Sequence, residues 1–403
     1  MNRLSAIPRE SLPVDQRRFY DAVQAIRRRP VSGPFIVLMN SSPDLAARFA
    51  HLGHYFHSRG QADESVLSMR VRGFASLIGS RALDAPYEWA AWVNWAIEAG
   101  VPIDTVDAIR EGRKPENLTA EEALITDFCS QMISGNHRVS IQTYKSALEH
   151  FGSQGLVELV VTLGYFTMIA LPLNAFEIGM TDAQKGLRKP FTPLEISGEP
   201  WIKSGTTHTN LPPIADNLST PSRIPPLNAH ADVAPEHQHF LDRIVRTRGW
   251  ISSLYQTLLH SPDVAARMAT IGSFFLYETS LSPALRTLTW LIAARDLDCH
   301  YTWDAGVHAA RVAGLGDALI AELEYGRIDV GITDDQKTVF DFCHQLLRGN
   351  HHVSETVYHT TVERFGIPAT VQIAATLGYI AMMSMVANAF EVGSAGDHSK
   401  PAL

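Results

Sequence analysis

The sequence predicts an all-α protein made of two fused helical units related by a pseudo-twofold, and three observations lead there. Ala, Leu and Met dominate, and apolar residues recur at three- and four-residue spacing, as in Leu124, Phe128 and Met132 and again in Tyr144, Leu148 and Phe151. Strand-like alternation of apolar and polar residues is absent. Third, one long pattern occurs twice, 214 residues apart: YEWAAWVNWAIEAGV at Tyr87 returns as YTWDAGVHAARVAGL at Tyr301, TDFCSQMISGNHRVS as FDFCHQLLRGNHHVS, and LGYFTMIALPLNAFEIG as LGYIAMMSMVANAFEVG. Laid without a gap, residues 87–179 and 301–393 share 34 identities in 93 positions, too many for common helical composition alone. Upstream, SPDLAAR at Ser42 matches SPDVAAR at Ser261 at an offset of 219, so the second copy has lost five residues, most simply in the loop around SRGQADE.

The elements follow in order from local signals. Ser42-Pro43-Asp44 and Ser261-Pro262-Asp263 open helices with Pro just inside the start. The helices that begin at the two Tyr-x-Trp motifs stop at Gly100 and Gly314. Thr119 with Glu122 is a capping-box pattern ahead of an apolar run. In GNHRVS and GNHHVS, Gly-Asn ends a helix, a histidine closes the turn, and Ser140 or Ser354 caps the next helix. Residues 155–178 and 369–392 are long and nearly uncharged, yet each carries Glu or Gln, Asn and a terminal Glu inside the apolar window and lacks flanking Lys/Arg, so buried central helices are expected. A Pro-rich stretch joins the copies, giving a first unit over 1–180, a linker over 181–222 and a second unit over 223–403.

Composition excludes several classes of partner. With 34 Lys and Arg against 42 Asp and Glu, the net charge is −8 and no strongly basic run offers itself to phosphates, so nucleic acid is not expected. Cys129, Cys299 and Cys343 form no CxxC and no even-numbered framework, which points to a reducing compartment, the cytoplasm. Charges and prolines in MNRLSAIPRESLPVDQRR replace the apolar stretch of a secretion signal. No membrane partner is expected.

The order of motifs in each copy (SPDxAAR, xLRxLxxLxxA, Tyr-x-Trp, GNHxVS, LGYxxM…NAFxxG) resembles the carboxymuconolactone decarboxylase and alkylhydroperoxidase D-like family. The resemblance covers both copies apart from the linker and the extreme termini. It implies helical units that associate into homo-oligomers, with a site among helices near a subunit contact, and a two-unit chain that is a covalent version of the family dimer. Carried over residue by residue, most of the family's catalytic pattern is missing. The Arg of its Arg-Glu pair is present as Arg72 and Arg286, but the Glu is Gly73 or Thr287. Its Tyr-Glu-Trp-x-x-His keeps Glu88 and has Trp92 for the His, while the second copy has Thr302 and Gly306. Without CxxC, the family's dithiol peroxidase chemistry is not expected.

The candidate site is therefore in the first copy. Glu88 and Trp92 lie four apart on one helical face, where an indole beside a carboxyl raises its pKa by desolvation and suits it to proton transfer; the alternative is that Glu88 merely favours its own helix N-terminus. Glu88 and His137 are the catalytic candidates, and Arg72, Trp92, His54, Arg286, His308 and His351 the substrate-binding ones. Arg72 or Arg286 would hold a carboxylate bidentately. Asp304 and His308 form either a carboxylate–imidazole pair or an ordinary surface pair, and His137 and His351 either reach substrate or simply close their turns. His51, His54 and His57 fall at steps of three, which splays the outer two about 120° apart on a helix, so no metal is expected and a lone His54 lines a pocket. Cys129 and Cys343 read as packed core thiols. The function expected is cofactor-independent acid/base chemistry, decarboxylation or lactone isomerisation or hydrolysis, on a small organic acid or lactone. The alternative is a catalytically silent small-molecule-binding or scaffold protein that has lost the family's proton relay.

Overall fold

Hydroxyl and proline residues start the helices where the sequence places them. The side chains of Ser68, Ser140, Ser282 and Ser354 each accept a hydrogen bond from the backbone N–H three residues on, and Thr119 with Glu122 and Thr333 with Gln336 form complete capping boxes. The computed structural model describes residues 2–57, 65–180, 222–328 and 331–393. The predicted linker lies outside them apart from Ser222, as does the 58–64 loop where the second copy is expected to be shorter.

Two series of helices result. The first comprises α1 (Arg17–Arg27), α2 (Pro34–Met39), α3 (Pro43–His57), α4 (Met69–Ala82), α5 (Pro86–Glu98), α6 (Ile103–Arg110), α7 (Ala120–Ile133) and α8 (Ile141–Ala175). The second comprises α9 (Gln238–Arg248), α10 (Ser253–Leu258), α11 (Pro262–Ser273), α12 (Pro283–Asp296), α13 (His300–Val312), α14 (Asp317–Glu324), α15 (Asp334–Leu347) and α16 (Glu355–Phe390). No strand occurs among the described residues. The long helices α8 and α16 each break at a glycine of positive φ, Gly152 and Gly366, which the sequence reading missed by starting them at 155 and 369.

Helices α8 and α16 pack on one another at the centre, and the apolar window of each is wholly buried. Where they cross, Gly164 faces Met382 and Gly378 faces the backbone of Met168. Other contacts between the two series come in matching pairs. Arg3 donates to the carbonyls of Ala175 and Val353, while Arg223 donates to those of Ala389 and Val139. Arg48 donates to the carbonyl of Thr270, and Arg267 to that of His51. The fully buried Glu158 carboxylate accepts from Tyr55, Ser65, the N–H of Val66, Gln154 and, across the junction, Ser261. At the corresponding place Gln372 accepts from Thr279 and Ser280 and donates across the junction to Ser41.

Candidate functional site

Helix α5 begins at Pro86, and its N-cap, Ala85, has no side-chain acceptor. Glu88, in the first turn, points inward and is only 3% exposed. Among the described residues no hydrogen bond reaches its carboxylate, so the helix-capping alternative has no bond to rest on. Burial pushes the Glu88 pKa up to about 8, and the positive charge of Arg29, on the segment between α1 and α2, works against that rise. The carboxyl is thus held mostly protonated at neutral pH.

Near it are Trp92, one turn on along α5, and Tyr165, against both of which His57 packs, with Arg72 beyond, acting on His57. Trp92 is fully buried, its ring 4.8 Å from that of His57, 5.3 Å from Trp95 and 5.2 Å from Phe166, and its Nε1 is enclosed without a hydrogen-bond partner. His57 ends α3, and its Nδ1 lies 2.6 Å from the carbonyl oxygen of Gly53. A carbonyl only accepts, so Nδ1 carries the proton and Nε2 is left with a lone pair. Burial, helped by Arg29 and Arg72, pushes the His57 pKa down to about 4, so the ring is neutral. Burial and the neighbouring Glu88 push the Tyr165 phenol well above its ordinary range. Arg29 is exposed and joined to no ion pair among the described residues, yet its charge acts on Glu88, His57 and Tyr165, which places it at the solvent side of the cluster.

The other expected residues are distributed less favourably. Arg72 is fully buried and its Nη1 donates to the carbonyl of Phe56, while Arg286 donates to those of Phe275 and Leu276; both are engaged with helix-end carbonyls. Helices α4 and α5 approach so closely that a Cβ on Gly73 would stand 3.0 Å from the Ala96 Cα, so a side chain there would have to push α5 aside. Thr302, at the position of Glu88, hydrogen-bonds to Ser384 at 2.7 Å, and Trp290 packs over Gly306 and donates to the Thr302 carbonyl. Asp304 pairs with His300, one turn earlier, at 2.9 Å instead of with His308, which is exposed. His54 is half-buried with no contact to Trp92, the place taken by His57.

His137 and His351 close their turns, with Nδ1 on the carbonyls of Met132 and Leu346. Both are 1% exposed, both have an enclosed Nε2 without a partner, and burial lowers the pKa of each. Neither shares an electrostatic neighbour with Glu88. Among the described residues no His/Cys/Asp/Glu group is arranged to hold a metal ion. Cys129, Cys299 and Cys343 are buried free thiols, and burial pushes the Cys129 pKa up to about 12. An open cleft of about 950 Å³ lies away from the cluster, but its cations Arg3 and Arg348 are bonded to Glu355 and Asp296.

His57 and Arg29 are thus the site residues that sequence reasoning missed. The only signal for His57 was its place in the last turn of α3, and for Arg29 an unpaired arginine run just before Pro30.

No protein-family model matches this chain, and no curated protein matches it. Among solved structures, the crystal structure of an alkylhydroperoxidase AhpD core, an uncharacterized peroxidase-related protein from Ralstonia eutropha JMP134, matches with a TM-score of 0.38 and 19% identity, covering 44% of this chain and 95% of that one.

Proposed function

We propose that the chain is a tandem pair of carboxymuconolactone decarboxylase-like helical units, a first over 1–180 and a second over 223–403, and that the first performs cofactor-independent acid/base chemistry on a small organic acid or lactone. The paired contacts between the two series support the duplication. The observation that carries the chemistry is Glu88: a carboxyl enclosed among Trp92, Tyr165 and His57, pushed to about 8, with a solvent-side cation beside it.

A protonated carboxyl in an apolar enclosure is a proton donor poised near neutrality. In a decarboxylation, Arg29 holds the substrate carboxylate at the mouth, the C–C bond to that carboxylate breaks with loss of CO2, and the electron pair left on carbon takes the proton of Glu88. Solvent then restores that proton. In lactone hydrolysis a water adds to the acyl carbon as its proton passes to His57 Nε2, the ring C–O bond breaks, the departing alkoxide takes the proton of Glu88, and the proton on His57 then returns to the Glu88 carboxylate. Neutral His57, with Nε2 as acceptor, holds a substrate hydroxyl or water. Arg72 positions the end of α3 through the Phe56 carbonyl. The second unit, with Thr302 tied to Ser384, has no proton donor at that place and serves as its structural partner. The proposal keeps the protein cytoplasmic and homo-oligomeric, without nucleic-acid or membrane partners.

The test is a panel of β-keto acids and small lactones, read as CO2 or acid release, with Glu88→Gln and Thr302→Val beside the wild type. Glu88→Gln should lower turnover by about 10²-fold or more with KM little changed, and Thr302→Val should do little. Because the protonated form is the working one, wild-type turnover should fall as pH rises through 8. Absence of turnover across the panel, together with no protonated-carboxyl infrared band that disappears in Glu88→Gln, would leave the catalytically silent binding protein as the reading.

A further inference from the structure

The second series has no acid at the place of Glu88, but the same locus holds a half-buried arginine. Arg248 closes α9, and its guanidinium lies over the ring of Tyr255, 4.6 Å from the centroid. Its Nη1 is shut off from solvent and has no hydrogen-bond partner. The groups acting most strongly on its charge are four phenols, Tyr255, Tyr379, Tyr301 and Tyr277, and among the described residues no carboxylate forms an ion pair with it. Arginine stays charged in proteins, so one edge of this cation is shut off from water with no counter-ion among the described residues.

The surroundings are shaped for a ligand. Nη1 stands 2.8 Å from where a Cβ on Gly272 would be, and the same Cβ would overlap the Tyr379 hydroxyl, so the bare backbone of α11 is what lets both polar atoms converge there. The Tyr379 hydroxyl lies 3.3 Å from that of Tyr255. After α11 the chain makes a π-helical turn, Phe274–Glu278, a local form common at functional sites. This turn sets Phe275 against Tyr379 at 5.3 Å and leaves Tyr277, whose phenol feels the Arg248 charge, half-exposed at the surface. The cage therefore has an aromatic wall and two phenol hydroxyls, of which that of Tyr379 also lies 3.5 Å from the Met268 carbonyl, with the exposed Tyr277 at its rim.

The geometry points to a carboxylate-binding site in the second unit, in which Arg248 Nη1 and the Tyr255 and Tyr379 hydroxyls hold the carboxylate of a small aromatic or apolar acid. A guanidinium matches the two oxygens of a carboxylate, and cation–π contact with Tyr255 holds its plane. One cation among neutral phenols balances a monoanion; a phosphate dianion would leave a charge unmet. The aromatic walls favour an acid with an apolar body over acetate. This site is independent of the Glu88 reading and stands if that reading fails.

Benzoate, acetate and inorganic phosphate are the probes, titrated calorimetrically into full-length protein in an Arg29→Met background, which removes the first-unit cation proposed to hold a carboxylate from the measurement. One benzoate should bind per chain, more tightly than acetate or phosphate. Arg248→Met should weaken it by 10²-fold or more and Arg248→Lys by about tenfold, since lysine keeps the charge but not the fork. Benzoate should raise the wild-type Tm and leave that of Arg248→Met unmoved. Without ligand, Arg248→Met should melt no lower than wild type, because it removes a partly desolvated charge that has no counter-ion among the described residues. The proposal is overturned if no probe binds, if Arg248→Met binds benzoate like the wild type, if phosphate binds more tightly than benzoate, or if ligand-free Arg248→Met is markedly destabilised or unfolded, which would show that the guanidinium already has its partner within the chain.

Discussion

Glu88 and Arg248 are ionisable groups enclosed by the same fold at comparable places, and burial acts on them in opposite ways: the carboxyl gives up its charge, the guanidinium cannot. For Glu88 this has a consequence for stability that does not depend on any substrate. Its folded pKa, about 8, is above the ordinary 4.5, so its contribution is whole below 4.5 and is lost as pH rises through 8. Glu88→Gln removes that dependence. At about 1.4 kcal/mol per pH unit, the wild type should lose on the order of 3 kcal/mol relative to Glu88→Gln between pH 5 and pH 8. Urea unfolding of both proteins across that range checks it, and parallel pH curves would show that Glu88 is ionised in the folded protein. The buried histidines have the opposite sign. His57, His137 and His351 have lowered folded pKa values, so their contribution is whole above 6.5 and is lost as pH falls below it. The two slopes overlap between pH 4.5 and 6.5, where three histidines work against one carboxyl, so these groups together put the stability maximum toward the upper end of that overlap, near pH 6.5.

At the scale of elements, the central crossing of α8 and α16 sets how much room there is. A Cβ on Gly378 would lie about 2.5 Å from the Met168 carbonyl oxygen, whereas one on Gly164 would meet mainly the Met382 side chain, 2.7 Å from Cγ. Backbone cannot turn aside and a methionine can. Gly378→Ala should therefore cost about 3 kcal/mol or more and Gly164→Ala about 1 kcal/mol, the low end of overpacking, as measured by denaturant unfolding. Equal costs would mean that the two helices slide instead of clashing. That asymmetry was not legible in the sequence, although the helices were, because LGY and the methionine that faces it occur in both copies, and only the way the two helices cross sets backbone against one glycine and side chain against the other. The same limit explains the site. Signals that act within one segment, such as Thr119 with Glu122 or Ser140 after Gly-Asn-His, placed helix starts and turns correctly. The four-residue spacing of Glu88 and Trp92 placed them on one face. Spacing along α3 could not show that His57 meets Trp92 while His54 does not, and Asp304 had equally good partners one turn ahead and one turn behind. Arg29 and Arg248 lie at helix ends where an arginine ordinarily just faces water, and only the packing of other helices gives them neighbours.

The whole molecule is held by contacts that cross between the two series, and the consequence is cooperative dependence of each half on the other. The apolar windows of α8 and α16 are completely buried only because they face one another, and Arg3, Arg48, Arg223 and Arg267 each donate to a carbonyl of the opposite series. Residues 1–180 alone would expose the α8 face and leave Arg3 and Arg48 without those acceptors. That face can cover itself in one way that reproduces the native crossing, by meeting a second copy so that Gly164 packs on Met168 of its mate, a true twofold in place of the paired contacts. Expressed alone, residues 1–180 should run in light scattering as a dimer or aggregate. Co-expression with residues 223–403 should instead yield a one-to-one complex, since Glu158 then regains Ser261 and Gln372 regains Ser41. A stable, cooperatively folding monomer of residues 1–180 would contradict this, and would mean that each half holds its own core and that the crossing of α8 and α16 is a docking contact between finished domains.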